Sequence, residues 1–360
     1  MNKNSVETIT ILKFLLTILV VFIHSVNFEI QPIHLSFDAK DIYSILYELI
    51  SHNIGRLAVP CFFLFSGYFF FLKLKQFSLS EYKSQLQKRM KSLVIPYVIW
   101  NLAFILIIIL KNNILIKIGH QPDDNMTLFS TSSWYDLLWK LPINYPLWYV
   151  RDLICMVLLS PIFYILFKYI KGYGILLLTI IYLMTWELPI PGFSTTSFVF
   201  FGAGAFAGLK KIDMIEFSQK NASYTLLLSI LMLAIATHNN GTELYEHLIR
   251  LFILSGTLST LYLGSLIQRT KIKSLLLTLS SASFFIYLTH IVYIMHWTKG
   301  GFSRISFFND GVGLILGYFM IPITCAFICL FLYKILKIIA PGVLSFTTGG
   351  RMVSNVKKEK

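Results

Sequence analysis

The stretch ITILKFLLTILVVFIHSV, residues Ile9 to Val26, decides the class of fold. It is apolar over almost its whole length and no small-residue cleavage site follows it. It therefore reads as a retained first membrane helix, not as a removed signal peptide. The rest of the chain repeats the pattern. Of 360 residues, 56% are hydrophobic and only 13% are charged, with a mean hydropathy of +0.70. A soluble domain carries about 25% charged residues, and half of that cannot solvate a surface of this size. The apolar excess must face lipid. An aromatic content of 16% also excludes a disordered chain. The expected fold is all-α, a polytopic membrane protein.

A span needs about 20 mostly apolar residues. Runs of that kind fall near 8–27, 54–72, 92–110, 147–167, 173–188, 195–209, 222–238, 248–268, 274–295 and 312–338, which makes ten. The fifth and sixth are short, and Pro189, Pro191 and Gly192 stand between them. The loops then sort by charge. Lys73, Lys75, Lys83, Lys88, Arg89, Lys91, Lys168, Lys171, Lys210, Lys211, Lys220, Arg269, Lys271 and Lys273 fall on one side. Glu29, Asp38, Asp41, Glu48, Asp123, Asp124, Asp136, Glu187, Glu243, Glu246 and Asp310 fall on the other. This is the positive-inside pattern, and it places both termini in the cytoplasm. The net charge of +14 is thus a topology signal and calls for no nucleic-acid partner. Residues 1–340 form one transmembrane domain, and 341–360 a short basic cytoplasmic tail. The longest loop, about 111–146, lies outside as an interfacial segment. Cys61, Cys155, Cys325 and Cys329 sit in apolar runs and read as packing residues, with no metal spacing. The histidines outside the spans, His34, His52, His120, His238 and His247, show no metal spacing either. Gly202, Gly204, Gly208 and the Ser66-Gly67 pair are spaced for close helix packing.

Ionisable residues inside spans are costly and point to function. On the first helix, Thr10, Lys13, Thr17 and His24 share one face at 100° per residue, a stripe of about 21 Å. The bland reading of Lys13 is snorkelling to the interface. The second span opens at Arg56, four residues before Pro60. The fourth opens Pro146-Leu147-Trp148-Tyr149-Val150-Arg151-Asp152, where the aromatic pair also suits an interfacial belt and Arg151 with Asp152 a local charge pair. The ninth carries Tyr287 and His290, and His290 reaches a depth similar to that of His24. Two histidines, two arginines and a tryptophan thus gather toward the outer leaflet, and Lys88, Arg89 and Lys91 cluster at the inner face. No loop is long enough for a separate catalytic domain, so any chemistry takes place among the helices.

These residues carry a resemblance. Val20-Val21-Phe22-Ile23-His24, then Arg56-x-x-x-Pro60-x-Phe62-Phe63-x-x-Ser66-Gly67-Tyr68, Arg89-x-x-x-Leu93-x-Ile95-Pro96-Tyr97, Leu147-Trp148-Tyr149 and Ile286-Tyr287-Leu288-x-His290 follow in order along nearly the whole chain. The series resembles acyltransferase family 3, integral membrane O-acyltransferases, especially the surface-polysaccharide branch that includes the enterobacterial common antigen O-acetyltransferase. The resemblance implies a bacterial cytoplasmic membrane protein. It also implies a cytoplasmic acyl-CoA donor, most often acetyl-CoA, and a glycan hydroxyl as acceptor at or beyond the outer face. His24 occupies the position of the family's essential histidine. Lys13 stands where the family has an arginine, keeping the charge but not the bidentate fork. Thr10 replaces the acid that commonly precedes that arginine, and Ser92 a second arginine after Arg89. Some members add an extracytoplasmic hydrolase-like domain; none is expected here, so the chain would act alone or with a separate partner.

Acyl transfer from a thioester to a hydroxyl needs a base for the proton and donors for the developing oxyanion. His24 is expected as general base or as a transient acyl carrier. Arg56, Trp148, Tyr149, Arg151, Tyr287 and His290 are expected around substrate and oxyanion. Lys13, Lys88, Arg89 and Lys91 are expected to hold acyl-CoA. No metal and no permanently bound cofactor is expected; acetyl-CoA is a co-substrate. A homo-oligomer or a glycan-assembly partner stays open. The rival function is a transporter or flippase for a lipid-linked glycan, which internal inverted repeats would favour; none is evident.

Overall fold

The computed structural model describes residues 2–26, 38–74, 77–122, 129 and 131–350. Glu29, His34, Lys75, Asp123, Asp124 and the tail from Arg351 onward lie outside the described residues.

Helix α1 (Lys3–Ile23) starts where the Asn2 side chain accepts the Ser5 amide at 2.8 Å, and His24 is its C-terminal cap. Helix α2 (Ala39–Leu46) runs through a π-helical turn (Tyr47–Asn53) and a 3-10 turn (Ile54–Leu57) into α3 (Ala58–Leu72). Ser78 caps α4 (Leu79–Arg89), which continues through Met90–Val94 into α5 (Ile95–Lys117). Pro96 sits in the first turn of α5, where a missing N–H costs little. Helices α6 (Trp148–Leu158) and α7 (Ser160–Tyr169) meet at a bend of 56° beside Pro161. Then come α8 (Tyr173–Leu183) and α9 (Thr195–Leu209). Helices α10 (Met214–Lys220) and α11 (Ala222–His238) meet at 79°, and α12 (Glu243–Leu266) returns beside them. Short helices α13 (Lys273–Leu279), α14 (Ser283–Thr289) and α15 (Met295–Ser303) precede the long α16 (Gly311–Ile339) and the terminal α17 (Pro341–Thr347).

The chain is an all-helical, multi-pass membrane protein. Six described helical segments are long and apolar enough to cross a membrane, or eight if each bent pair is one crossing. The expected ten would also need α8 and α9. Their 11 and 15 residues reach only about 17 and 22 Å at 1.5 Å per residue, short of a hydrocarbon core of about 30 Å.

The structure corrects the expected loops in two places. Asp41 and Glu48, assigned to an outer loop, are buried inside the α2 segment. The Glu48 carboxylate has a local hydrogen-bond partner, because His52 one turn on places Nδ1 3.0 Å from its oxygens. The expected loop 111–146 also gives its first residues, through Lys117, to α5. Within the remainder, Ser133 holds Asp136 through its hydroxyl and amide, which keeps that exposed carboxyl below the usual carboxylate range.

Close packing of α3 on α9 organises the core. Gly67 and Gly204 face each other's helix so tightly that a Cβ on Gly204 would collide with the Leu64 carbonyl, and one on Gly208 would come 2.7 Å from the Tyr68 carbonyl. Small residues let the backbones approach, as their spacing predicts. All four cysteines are buried and free. The ninth expected span does not run straight through 274–295. It breaks at Val292 and Tyr293, where Tyr293 has φ 60° and ψ −18°. A left-handed conformation is strained for a bulky residue, and this one falls three residues after His290.

Candidate functional site

A cavity of about 530 Å³ opens along one side of α1. The face predicted from helical periodicity supplies Thr10, Lys13 and Thr17 to its wall. Both threonines return their hydroxyls to carbonyls four residues back, Thr10 to Val6 and Thr17 to Lys13, each at 2.8 Å. Their hydroxyl protons are thus committed within the helix, which leaves Lys13 as the charged residue of this face. Phe62, Phe65, Ser66 and Phe69 of α3 form the next side, with Lys73 just past its end and Arg89 from α4. The Lys13 ammonium lies 5.1 Å from the Phe69 ring centre, and the Arg89 guanidinium 5.8 Å from that of Phe70. Tyr149 of α6, Tyr287 of α14 and the serines Ser280, Ser281 and Ser283 add the remaining polar groups of the lining. No carboxylate lines this cavity among the described residues, so its three cations define its sign.

Tyr287 joins this cavity to the histidines. Its hydroxyl donates to the Pro146 carbonyl, and its ring lies 6.0 Å from Tyr149 on one side and 6.2 Å from His290 on the other. The His290 ring stacks on His24 at 5.4 Å with an interplanar angle of 23°. His24 Nδ1 is 2.7 Å from the Tyr145 hydroxyl, its one hydrogen bond among the described residues. His290 is wholly buried, with Nδ1 2.9 Å from the Tyr287 carbonyl and 3.1 Å from that of Ile286, while Nε2 has no partner among the described residues. A run of ring contacts therefore leads from the cavity wall to His24.

The structure brings some of the sequence-predicted residues together and separates others. Lys13, Arg89, Tyr149 and Tyr287 line the cavity, whereas His24 and His290 stack outside its lining, behind Tyr287. Lys88 and Lys91 are exposed and do not line it. The cause is helical phase, since of the three only Arg89 faces the wall. Arg151, expected near the oxyanion, is a clasp instead. Its Nη2 and Nε donate to Asp152 Oδ1 at 2.8 and 3.0 Å, and its Nη1 to the Trp139 and Lys140 carbonyls at 2.8 Å. Four donor contacts commit the guanidinium to holding segment 136–140 on α6. Arg56 is also engaged elsewhere. It meets Glu246 at 3.5 Å, His52 Nε2 at 3.4 Å and the Tyr245 ring at 5.5 Å. Trp148 packs against the core and is not part of the cavity wall.

Sequence reasoning missed three members of the site. Lys73 was counted only as a topology lysine, although it ends the helix bearing Phe65 and Phe69. Tyr145, just before the Pro146-Leu147-Trp148 motif, is the hydrogen-bond partner of His24. Lys299, half-buried on α15, is a cation whose field reaches His24. No periodicity links either residue to α1. Among the described residues no group of three or more His, Cys, Asp or Glu is placed to hold a metal ion.

Comparison with known proteins bears on this arrangement. A family model described as "Acyltransferase domain" matches residues 6–333. The "Succinoglycan biosynthesis protein ExoH" of Rhizobium meliloti (strain 1021) is 25% identical over 371 aligned positions, covering 98% of this chain and 94% of that protein. No solved structure matches the chain.

Proposed function

The chain belongs to this acyltransferase family, and on that premise we propose that it moves an acyl group, acetyl in the first instance, from cytoplasmic acyl-CoA to a hydroxyl of a surface or lipid-linked glycan. The glycan is favoured because the relative aligned end to end is named for the biosynthesis of one. The cell membrane is the site of action, with both termini on the cytoplasmic side and ten crossings if α8 and α9 are counted.

The observation that carries this reading is the cavity itself. It offers Lys13, Lys73 and Arg89 to the phosphates of the donor, aromatic walls to its pantetheine arm, and in Tyr287 a wall residue whose ring lies against the His24–His290 pair. Phosphates prefer charge-assisted donors, and a water-poor wall protects a thioester from hydrolysis. Tyr149 and Tyr287 border the position of the thioester. The histidine pair supplies what acyl transfer requires, a nitrogen to take the hydroxyl proton and a donor to meet the oxyanion. His24 is catalytic in this scheme, and acyl-CoA is a substrate that leaves as the thiol.

The test is a product analysis. Surface polysaccharide from a strain lacking the gene should lose an ester-linked acyl group that mild alkali releases. The wild-type gene should restore it and a His24→Ala gene should not. An unchanged ester content on deletion would contradict the reading, and the mass of the released acid identifies the acyl group.

A further inference from the structure

The two stacked imidazoles differ in what their ring nitrogens can offer. His290 Nδ1 faces two carbonyl oxygens, those of Ile286 and Tyr287. A carbonyl only accepts, so Nδ1 carries the proton in the neutral ring and Nε2 carries the lone pair. That Nε2 is fully buried and has no partner among the described residues. Burying an acceptor without a hydrogen bond costs stability, and such an atom marks a place where a donor arrives.

His24 is arranged the other way. Its Nδ1 meets a phenol hydroxyl, that of Tyr145, at 2.7 Å. A phenol is the stronger acid and an unprotonated imidazole nitrogen the stronger base, so the stronger bond runs from the Tyr145 O–H to Nδ1. The neutral ring then carries its proton on Nε2, which has no other partner among the described residues and is a donor. Nearby arginines do not compete for that task, because Arg56 and Arg151 are engaged with Glu246 and Asp152.

We propose that His290 Nε2 is the proton acceptor of the transfer and that His24 Nε2–H, oriented by Tyr145, is the donor to the oxyanion. The assignment rests on the acyltransferase reading and divides its chemistry between two rings 5.4 Å apart. The acceptor hydroxyl gives its proton to His290 Nε2 as its oxygen bonds to the thioester carbonyl carbon. The carbonyl oxygen becomes an oxyanion, hydrogen-bonded by His24 Nε2–H. As the oxyanion collapses, the carbon–sulfur bond breaks and the thiolate takes the proton back from the His290 imidazolium. The ester and the free thiol leave, and both rings return to their starting tautomers. Tyr145 is a positioning residue, since it acts through His24.

The experiment compares amide substitutions at the two histidines. Asparagine in a helix of this chain reproduces the Nδ1 contact of His290, as Asn101 donates to Tyr97 and Asn112 to Ile108, each to the carbonyl four residues back. His290→Asn thus keeps the carbonyl bond and loses the basic nitrogen, together with the ring that stacks on His24. His24→Gln keeps an N–H donor, and His24→Ala keeps none. Transfer of label from acetyl-CoA to the lipid-linked glycans of membranes from an expressing strain is measured, with protein level as the folding control. His290→Asn should lose about 10²-fold or more, the range of general-base catalysis. His24→Ala should lose about 10²-fold, the range of one oxyanion donor, and His24→Gln should stay within about tenfold of wild type. Tyr145→Phe should lower the rate at saturating donor without changing the KM for acetyl-CoA. If His290→Asn keeps wild-type activity, or His24→Gln falls as far as His24→Ala, the assignment is overturned. A wild-type protein that transfers no label overturns the acyltransferase reading itself, which is a separate and recognisable failure.

Discussion

Arg89 and Lys88 are neighbours in sequence with different surroundings. Arg89 lines the cavity and lies over Phe70, whereas Lys88 is exposed and outside it. Arg89→Gln should therefore raise the apparent KM for acetyl-CoA by about tenfold, worth about 1.4 kcal/mol, and leave the KM for the glycan unchanged. Lys88→Gln and Lys91→Gln should alter neither, and steady-state kinetics in membranes reads both effects. Arg151 offers a test of a different kind. It is 10% exposed and paired with an Asp152 side chain that is 1% exposed. Arg151→Met strands the carboxylate, and breaking a buried pair in this way costs about 3–5 kcal/mol. Thermal unfolding of the detergent-solubilised protein should show a large loss, partly recovered when Asp152→Asn is added. An unchanged midpoint would refute the clasp.

Among the elements, α3 and α9 show how far small residues can set an arrangement. Gly204→Leu would drive a side chain into the Leu64 carbonyl, with helix backbone on both sides and nowhere to yield. Folded protein recovered from membranes should fall severely, whereas Gly300→Ala, with open space around it, should have no effect. The close approach of these helices was legible because glycine spacing is a local signal. So was the cavity-facing stripe of α1, since Thr10, Lys13 and Thr17 follow the helical repeat. Other features were not. The break at Tyr293 has no proline or glycine in it; Phe104 and the Lys111 ammonium, which lie against its ring, belong to tertiary structure. The Tyr145 contact spans 121 residues of sequence, and the Arg151 clasp depends on a surface segment folding back. Burial of Glu48 was within reach, because His52 lies four residues on and the pair shares one helical face.

Across the whole molecule, the asymmetry of lysine and arginine supports the orientation proposed for the helices. A cysteine placed at Ser84, on α4, should be shielded from a membrane-impermeant thiol reagent in intact cells. One placed at His120, just beyond α5, should be labelled. Labelling of both, or of Ser84→Cys alone, would contradict the proposed orientation and with it the proposal that the donor enters the cavity from the cytoplasm. The cations Lys13, Lys73 and Arg89 on the cavity wall and the ring contacts from Tyr287 through His290 to His24 mark the path proposed for the acyl group. The path has a function only if an acyl group travels along it. The most direct measurement supplies labelled acetyl-CoA to sealed membranes with the donor on the cytoplasmic side and follows alkali-labile label on the glycan. Wild-type protein should transfer the label, and His24→Ala at equal protein level should be slower by about 10²-fold or more. Transfer by His24→Ala at the wild-type rate would contradict the account.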